Sequence, residues 1–226
     1  MKTLFNVTIL SFILLLMPLE LSAKAGLQAV EFSAQELKNI QGHYSTVYGY
    51  VYIQVNKKVV STRIDGKYIQ LIKKSDGRIY PRYKLLRLIP ISLGKMSFSL
   101  KNDHGKNQIV MHEINKKGKP KKAQIVAQKF KPVAIPALWK QRLGKYNATL
   151  LKGKSKIRKI RLALKRGVLV AYINKLKSPY PLLALSPSKL YSPSAGHNKD
   201  QPIHIATLSK QLSLKYGKNS LLLKKL

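Results

Sequence analysis

Residues 50–55 read Tyr-Val-Tyr-Ile-Gln-Val, in which aliphatic residues alternate with aromatic or polar ones. Successive side chains of a β-strand point to opposite faces, so the aliphatic residues Val51, Ile53 and Val55 share one face and the tyrosines the other. The same period of two runs through residues 160–165 and 203–208. The chain that follows the amino terminus is therefore predicted to form strands, with one face of each strand turned to a core.

Short turns separate these apolar runs. Asp65-Gly66 favours the tight type I′ turn of a hairpin, and glycines at 77, 105, 118 and 217 mark further turns. Each half of the chain then holds about seven or eight short strands, the number and spacing typical of a sandwich or a closed barrel. Closure is the simplest way for such a meander to hide its edge strands. An eight-stranded barrel is either filled by its own side chains or holds one small ligand.

The two halves resemble each other. Ser33-Ala34-Gln35-Glu36 is a capping box that predicts a short helix before the first strand, and residues 136–139 open the second half in the same way. A Gly-x-Tyr follows each helix, and a Tyr-x-Leu-Leu-x-Leu-x-Pro lies further along each half. The repeat positions are Gly42 with Gly144, Tyr44 with Tyr146, Tyr83 with Tyr180 and Pro90 with Pro187. The turns at Gly66 and Gly167 lie between these positions, in apparent register.

We therefore predict an all-β protein with two tandem antiparallel meander β-barrels, each preceded by a short helical turn. The predicted domains are a signal peptide over 1–25, a first barrel over 26–131 and a second barrel over 132–226. Residues 131–136, with two prolines, form the connector. One alternative is a single two-layer β structure that both halves share.

The amino terminus has the pattern of an export signal. Lys2 precedes an apolar stretch over 7–19, and a small-x-small site follows at Leu21-Ser22-Ala23 or Ala23-Lys24-Ala25. We expect cleavage near Ala23 or Ala25 and a periplasmic or secreted protein. The alternative is an uncleaved anchor helix from Leu4 to Leu21. The chain has no cysteine, so disulfides and thiolate chemistry are excluded.

The charge is one-sided. Lys and Arg number 43 against 8 Asp and Glu, which gives a net charge of +35, and Asp200 is the single acid after Glu113. Such a field repels itself and favours a polyanionic partner, although edge-strand lysines that block aggregation explain part of it. The candidate polyanion-binding residues are Lys116, Lys117, Lys119, Lys121 and Lys122 in one run, and Lys152, Lys154, Lys156, Arg158, Lys159 and Arg161 in another.

The expected partner is an anionic envelope component, namely lipid phosphate, lipopolysaccharide or a wall polymer, or else a partner protein. Nucleic acid is the weaker interpretation because export removes the protein from it, although Tyr44, Tyr48, Tyr50 and Tyr52 could stack bases.

A short helix followed by Gly-x-aromatic resembles the lipocalin pattern, with Tyr44 and Tyr146 where classical lipocalins carry tryptophan. Together with Tyr-x-Leu-Leu-x-Leu-x-Pro, the pattern is similar to the lipocalin-like accessory domain of β-lactamase-like serine peptidases. The resemblance implies a non-catalytic accessory fold. The catalytic domain of that family is lacking, so an associated enzyme would be a separate polypeptide.

Catalytic motifs find little support. Ser92-Leu93-Gly94-Lys95 and Ser186-Pro187-Ser188-Lys189 fit Ser-x-x-Lys, and Tyr172-Ile173-Asn174 fits Tyr-x-Asn, but the prolines and Gly94 predict loops and no Lys-Thr/Ser-Gly strand follows. The histidines have no metal-site spacing, so we expect no metal, no cofactor and no enzyme.

Three functions remain at this point. The first is a non-enzymatic binding module that docks on the envelope. The second is a carrier of a small lipid-like ligand inside a barrel. The third is an accessory subunit or remnant of a serine hydrolase.

Overall fold

A computed structural model describes residues 27–46, 49–64, 66–85, 89–92, 96–174, 178–193, 203–208 and 211–226. The predicted signal peptide and its cleavage sites lie outside these residues. The helices are α1 (Ala34–Ile40) and α2 (Ala137–Gln141). The strands of the first half are β1 (Gly42–Thr46), β2 (Gly49–Asn56), β3 (Val59–Ile64), β4 (Lys67–Lys73), β5 (Ile79–Leu85), β6 (Ile89–Ser92), β7 (Met96–Asp103), β8 (Lys106–Glu113) and β9 (Gln124–Phe130). Those of the second are β10 (Gly144–Lys152), β11 (Lys159–Lys165), β12 (Val168–Ile173), β13 (Tyr180–Ser186), β14 (Lys189–Tyr191), β15 (Ile203–Leu208), β16 (Gln211–Tyr216) and β17 (Asn219–Lys225).

The predicted fold class is confirmed, because each half closes into an antiparallel eight-stranded barrel behind a short helix. In the second half β10 to β17 pair in chain order and β17 returns to β10. In the first half β9 returns to β1, and β5 joins β4 to β7, with β6 as an extra strand against β5. Each described strand pairs within its own sheet. The alternative of one two-layer structure shared by both halves is therefore wrong.

Each helix covers one end of its barrel. The capping box that starts α1 is present, since the Ser33 hydroxyl accepts from the Glu36 backbone N–H and the Glu36 carboxylate accepts from the Ser33 backbone N–H. α2 lacks such a side-chain cap, and its N-cap residue is Pro136. Of the residues that the structure describes, none belong to a helix long and apolar enough to cross a bilayer.

A tyrosine and a lysine attach the helix to the barrel in both halves. In the first, the Tyr44 hydroxyl donates to the Ile40 carbonyl at 2.9 Å, and Lys129 Nζ donates to the Asn39 carbonyl at 2.9 Å. In the second, the Tyr146 hydroxyl donates to the Arg142 carbonyl and Lys225 Nζ donates to the Gln141 carbonyl. The last carbonyls of a helix have no partner within it, and the tyrosine and lysine supply one.

The Gly-x-Tyr repeat is therefore structural, but the two anchors further along are not equivalent. Tyr83 lies in the fifth strand of its barrel, whereas Tyr180 begins the fourth strand of the other. Gly66 follows the third strand and Gly167 the second. The register expected for these pairs, and for Pro90 with Pro187, is wrong. The cause is that β10 and the connection after it are longer than β1 and its connection. The same distance along the sequence therefore reaches a later strand in the first barrel than in the second.

Candidate ligand cavity and basic loops

The first barrel encloses a cavity of about 320 Å³. Its floor is formed by Ile40 and Tyr44 at the α1 end, and the inward faces of the strands form its wall. The wall includes Val51 and Ile53 from the alternating stretch of β2, as predicted for the core-facing side of that strand. The remaining lining residues are Thr46, Thr62, Ile64, Ile69, Leu71, Ile79, Pro81, Met96, Phe98, Ile109, Met111, Val126 and Ala127.

This lining is apolar and carries no charged side chain. Its two threonine hydroxyls donate to backbone carbonyls, Thr46 to Gly49 and Thr62 to Tyr52, both at 2.9 Å, and the Tyr44 hydroxyl donates to the Ile40 carbonyl. Both threonine hydroxyls therefore already donate to the backbone of the barrel. The methionines Met96 and Met111 add flexible, polarisable side chains that adapt to different shapes. A cavity of this kind binds hydrocarbon and offers little to a polar molecule.

The interior of the second barrel is packed with its own side chains. Trp139 of α2 is fully buried in it, Tyr146 and Ala148 of β10 are buried beside it, and each strand from β11 to β17 adds at least one buried Leu or Ile. At the opposite end Ile157, from the loop between β10 and β11, is buried in the same cluster. The second barrel is therefore closed by a large side chain at each end.

The position of Trp139 explains much of the difference between the barrels. Trp139 lies five residues before Gly144, and the residue five before Gly42 is the smaller, half-buried Leu37. In the first barrel the turn that follows β2 consists of Lys57 and Lys58, both exposed. The ring of Trp139 thus has no counterpart at the helix end of the first barrel, where Leu37 and Ile40 lie instead.

The outer face of β1 and β2 packs against the second barrel. Tyr50 is 2% exposed and forms a cluster with Val168 and Val170 of β12. Its backbone N–H donates to the Pro179 carbonyl, and the Ser45 hydroxyl donates to the Pro193 carbonyl. The predicted separation of aliphatic and tyrosine faces is confirmed, and the tyrosine face is an interface between barrels. Burial removes Tyr44 and Tyr50 from the set that could stack nucleic acid bases, while Tyr48 lies outside the described residues.

Cations and a histidine border this interface. The Arg166 guanidinium lies 4.6 Å from the Tyr52 ring centre, and Lys165 Nζ lies 5.7 Å from that of Tyr50. His43 Nδ1 is hydrogen-bonded to the Tyr50 hydroxyl at 2.9 Å. Burial, and then the Arg166 charge, lower the pKa of His43, while burial raises the pKa of Tyr50 to about 12. Both groups are therefore held neutral.

The first lysine run forms the loop between β8 and β9. All five of its predicted binding residues are exposed. The Asn115 carboxamide oxygen accepts from the Lys117 and Lys119 backbone N–H groups and fixes the turn. Lys121 Nζ forms an ion pair with Glu113 at 3.0 Å, so one of the five cations is partly neutralised.

The second run lies in another loop, between β10 and β11. Its five cations from Lys152 to Lys159 are exposed. Arg161, on β11, is different, because its guanidinium lies 4.2 Å from the Tyr172 ring centre. The two runs thus belong to two separate loops, each at the end of its barrel opposite the helix.

The catalytic motifs acquire local structural roles. Ser186 and Lys189 are paired across the tight turn between β13 and β14, and the Ser186 hydroxyl accepts from the Ser188 backbone N–H. The side chain of Asn174 is hydrogen-bonded to the loop before β11. The side chains of Ser92 and Lys95 lie outside the described part of the chain. Within that part, no three acidic or histidine side chains converge on one point.

Comparisons with protein-family models, with curated proteins and with solved structures found no match to this chain.

The sequence identified the loops and left open whether each barrel is filled or holds a ligand. Strand alternation marks which residues face inward and does not show whether opposite walls meet. The lysines that hold the helices, Lys129 and Lys225, were missed, since one lysine among many carries no signal. The cue that was available was the pairing of Trp139 with Leu37 at equivalent repeat positions.

Proposed function

We propose that this protein is an exported, non-enzymatic carrier whose first barrel holds the apolar part of a lipid-like ligand. The observation that carries the proposal is the 320 Å³ apolar cavity, set against the packed interior of the second barrel. A water molecule occupies about 30 Å³ in the liquid, so the cavity has room for roughly ten groups of that size. An acyl or prenyl chain of about ten carbons matches this volume.

The second barrel serves as a scaffold in this proposal. It buries the tyrosine face of β2 through Val168 and Val170. Its packed core gives rigidity to the β1–β2 wall, which is also a wall of the cavity. The ligand site and the interface are thus two faces of the same pair of strands.

The test is native mass spectrometry of the protein purified from its own envelope, followed by titration with dansyl-undecanoic acid as a fluorescent probe. We expect a stoichiometric small-molecule adduct and saturable probe binding. A bare protein that also fails to bind the probe would contradict the carrier proposal.

A matched pair of variants locates the site. Ala127→Phe places a ring in the cavity and is expected to abolish probe binding at little cost in stability. Ala171→Phe in the packed second barrel is expected to reduce the free energy of unfolding by about 1–3 kcal/mol because it overpacks that core. The fraction of this variant that stays folded should bind the probe as tightly as the original chain does. Equal effects of the two variants on probe binding would oppose a site in the first barrel.

A second candidate function is docking on an anionic envelope component through the lysine-rich loops. Its support is that both loops expose their cations at the barrel ends opposite the helices. Replacing Lys116, Lys117, Lys119 and Lys122 together by Gln should weaken salt-sensitive binding to the envelope fraction. Unchanged binding would exclude the β8–β9 loop from this role.

The other interpretations remain predictions. From the similarity to the accessory domain of serine peptidases we propose that a separate enzyme is a partner. The hydrolase remnant makes a sharp prediction of its own, namely that Ser186→Ala or Ser92→Ala removes any turnover of an ester substrate.

A further inference from the structure

The loop between β10 and β11 combines charge with exposed hydrocarbon. We name residues 150–159 the basic tip. Leu151 is 59% exposed and Leu150 is 37% exposed, at a bulge where β10 leaves its pairing with β17. Five cations follow directly, and all are exposed. They are Lys152, Lys154, Lys156, Arg158 and Lys159.

The backbone of the basic tip is fixed. The Asn174 carboxamide oxygen accepts from the Arg158 and Lys159 backbone N–H groups at 2.8 and 3.1 Å, and its nitrogen donates to the Lys156 carbonyl at 3.0 Å. Ile157 anchors the middle of the tip in the barrel core. Because the backbone is already fixed, binding does not have to order the loop itself.

Gly153 anchors the other side of the tip. Its φ is +89°, and a Cβ there would lie 2.5 Å from Asn219 Oδ1 and 3.0 Å from the Lys218 carbonyl oxygen. The tip is thus pressed against the β16–β17 turn, which carries the exposed Lys218. A sixth cation therefore adjoins the five of the tip.

The residue types of this surface favour one class of polyanion over the others. Nucleic acid and wall polymers both interact with cations, and the bases of a nucleic acid also stack on aromatic side chains. The basic tip has no aromatic residue. Two exposed leucines among lysines match a membrane surface, where phosphates lie above hydrocarbon. All the acidic side chains that the structure describes belong to the first barrel, so none in the second barrel opposes the tip.

We propose that the basic tip docks on the surface of a bilayer that contains anionic lipids. The cations contact the lipid phosphates, and Leu150 and Leu151 enter the boundary between headgroups and acyl chains. This inference deepens the docking candidate above by naming its surface and its partner, and it does not depend on the cavity. A carrier that works by docking would exchange its ligand with this bilayer.

The experiment is co-sedimentation of the full chain with vesicles of phosphatidylglycerol and phosphatidylcholine, compared with vesicles of phosphatidylcholine alone. We expect binding to the anionic vesicles only. The variant Lys152→Gln, Lys154→Gln, Lys156→Gln, Lys159→Gln should weaken that binding at least a hundredfold, because each removed cation contributes roughly fivefold. Arg158 is left in place because its guanidinium donates to the Ser155 carbonyl within the tip.

A control variant changes the same charge elsewhere on the second barrel. Lys140→Gln, Lys145→Gln, Lys189→Gln, Lys224→Gln replaces four exposed lysines at the opposite end of the barrel. It should retain binding within about fivefold of the original chain. Equal losses in the two variants would overturn the proposal in favour of general charge attraction.

The leucines provide an independent test. Leu150→Ala with Leu151→Ala should weaken vesicle binding roughly tenfold at a salt concentration that screens the lysines, through loss of apolar burial. No effect of this pair would overturn insertion of the leucines. Absence of binding to anionic vesicles would overturn the whole inference, and probe binding in the first barrel would still report on the carrier proposal separately.

Discussion

The attachment of each helix shows how single residues specify this fold. Gly42 and Gly144 have φ of +140° and +138°, backbone angles that residues other than glycine rarely adopt. A Cβ at Gly42 would lie 2.7 Å from Lys129 Cε, and one at Gly144 would lie 3.1 Å from Lys225 Cε. The glycine thus leaves space for a lysine that crosses over it to reach the helix carbonyls.

This arrangement predicts unequal effects of the same substitution. Gly42→Ala and Gly144→Ala should each reduce the free energy of unfolding by about 1–3 kcal/mol through backbone strain. Gly42→Ala should cost more, because its methyl group displaces Lys129 from the Asn39 and Lys38 carbonyls. Urea denaturation followed by circular dichroism measures both values.

Gly77→Ala is the control, since φ there is also positive, at +74°, but nothing lies within 4 Å of the added Cβ. It carries strain without a clash. A loss at Gly77 as large as that at Gly42 would show that displacement of Lys129 contributes nothing.

At the scale of elements, the central feature is that two barrels of the same strand number have different interiors. Trp139→Leu tests its cause, because it gives the second barrel the residue that the first has at the equivalent place. It should reduce the free energy of unfolding by about 2–5 kcal/mol through the cavity that remains. The space that this substitution vacates is much smaller than the 320 Å³ cavity of the first barrel, so we expect no second site for the dansyl-undecanoic acid probe. Probe binding in the second barrel of this variant would show that Trp139 alone keeps that barrel filled.

The loop of the basic tip allows a prediction about one side chain. Asn174→Gly keeps the positive φ of +52° but removes the hydrogen bonds to the backbone at Lys156, Arg158 and Lys159. Hydrogen exchange at the Arg158 and Lys159 amides should become faster, by tenfold or more, because each loses an acceptor. Asn174→Asp retains the acceptor oxygen and should exchange more slowly than the glycine variant. Equal exchange in all three proteins would contradict the proposed role of the Asn174 side chain in holding this loop.

The sequence predicted strands and the first helix well, and the interiors poorly. Alternation at residues 50–55 placed Val51 and Ile53 inward, and Ser33 with Glu36 marked the start of α1, because these are local rules. The pairing of Tyr83 with Tyr180 failed because similar letters at similar spacing do not fix a strand number. The cavity could not be predicted because it depends on volumes that meet across the barrel, among residues far apart in the chain.

The interface between the two barrels holds a partly buried, neutral histidine among aromatic rings. The His43 ring lies 4.8 Å from that of Tyr52 and 6.0 Å from that of Phe130, between ring centres. The charged groups of the second barrel at this interface, Arg166 and Lys165, are both cations. Protonation of His43 would therefore add a third positive charge to a partly buried place.

This arrangement gives the molecule a pH dependence of definite sign. Burial and Arg166 lower the pKa of His43, so the unfolded or separated state binds the proton more readily than the native one. The contribution of His43 to stability is complete above the ordinary histidine pKa of about 6.5, and it decreases as the pH falls through the lower native pKa. The midpoint temperature of thermal unfolding should accordingly decrease as the pH is lowered from 7 to 5.

His43→Phe preserves the ring among Tyr52 and Phe130 while removing the titrating group, so it should flatten this part of the profile. Arg166→Gln should act in the same direction, because it removes the charge that opposes protonation. Differential scanning calorimetry at several pH values measures these profiles for the three proteins. If His43→Phe and the original chain lose stability in parallel as the pH falls, the acid sensitivity belongs to other groups and the interface does not respond to pH.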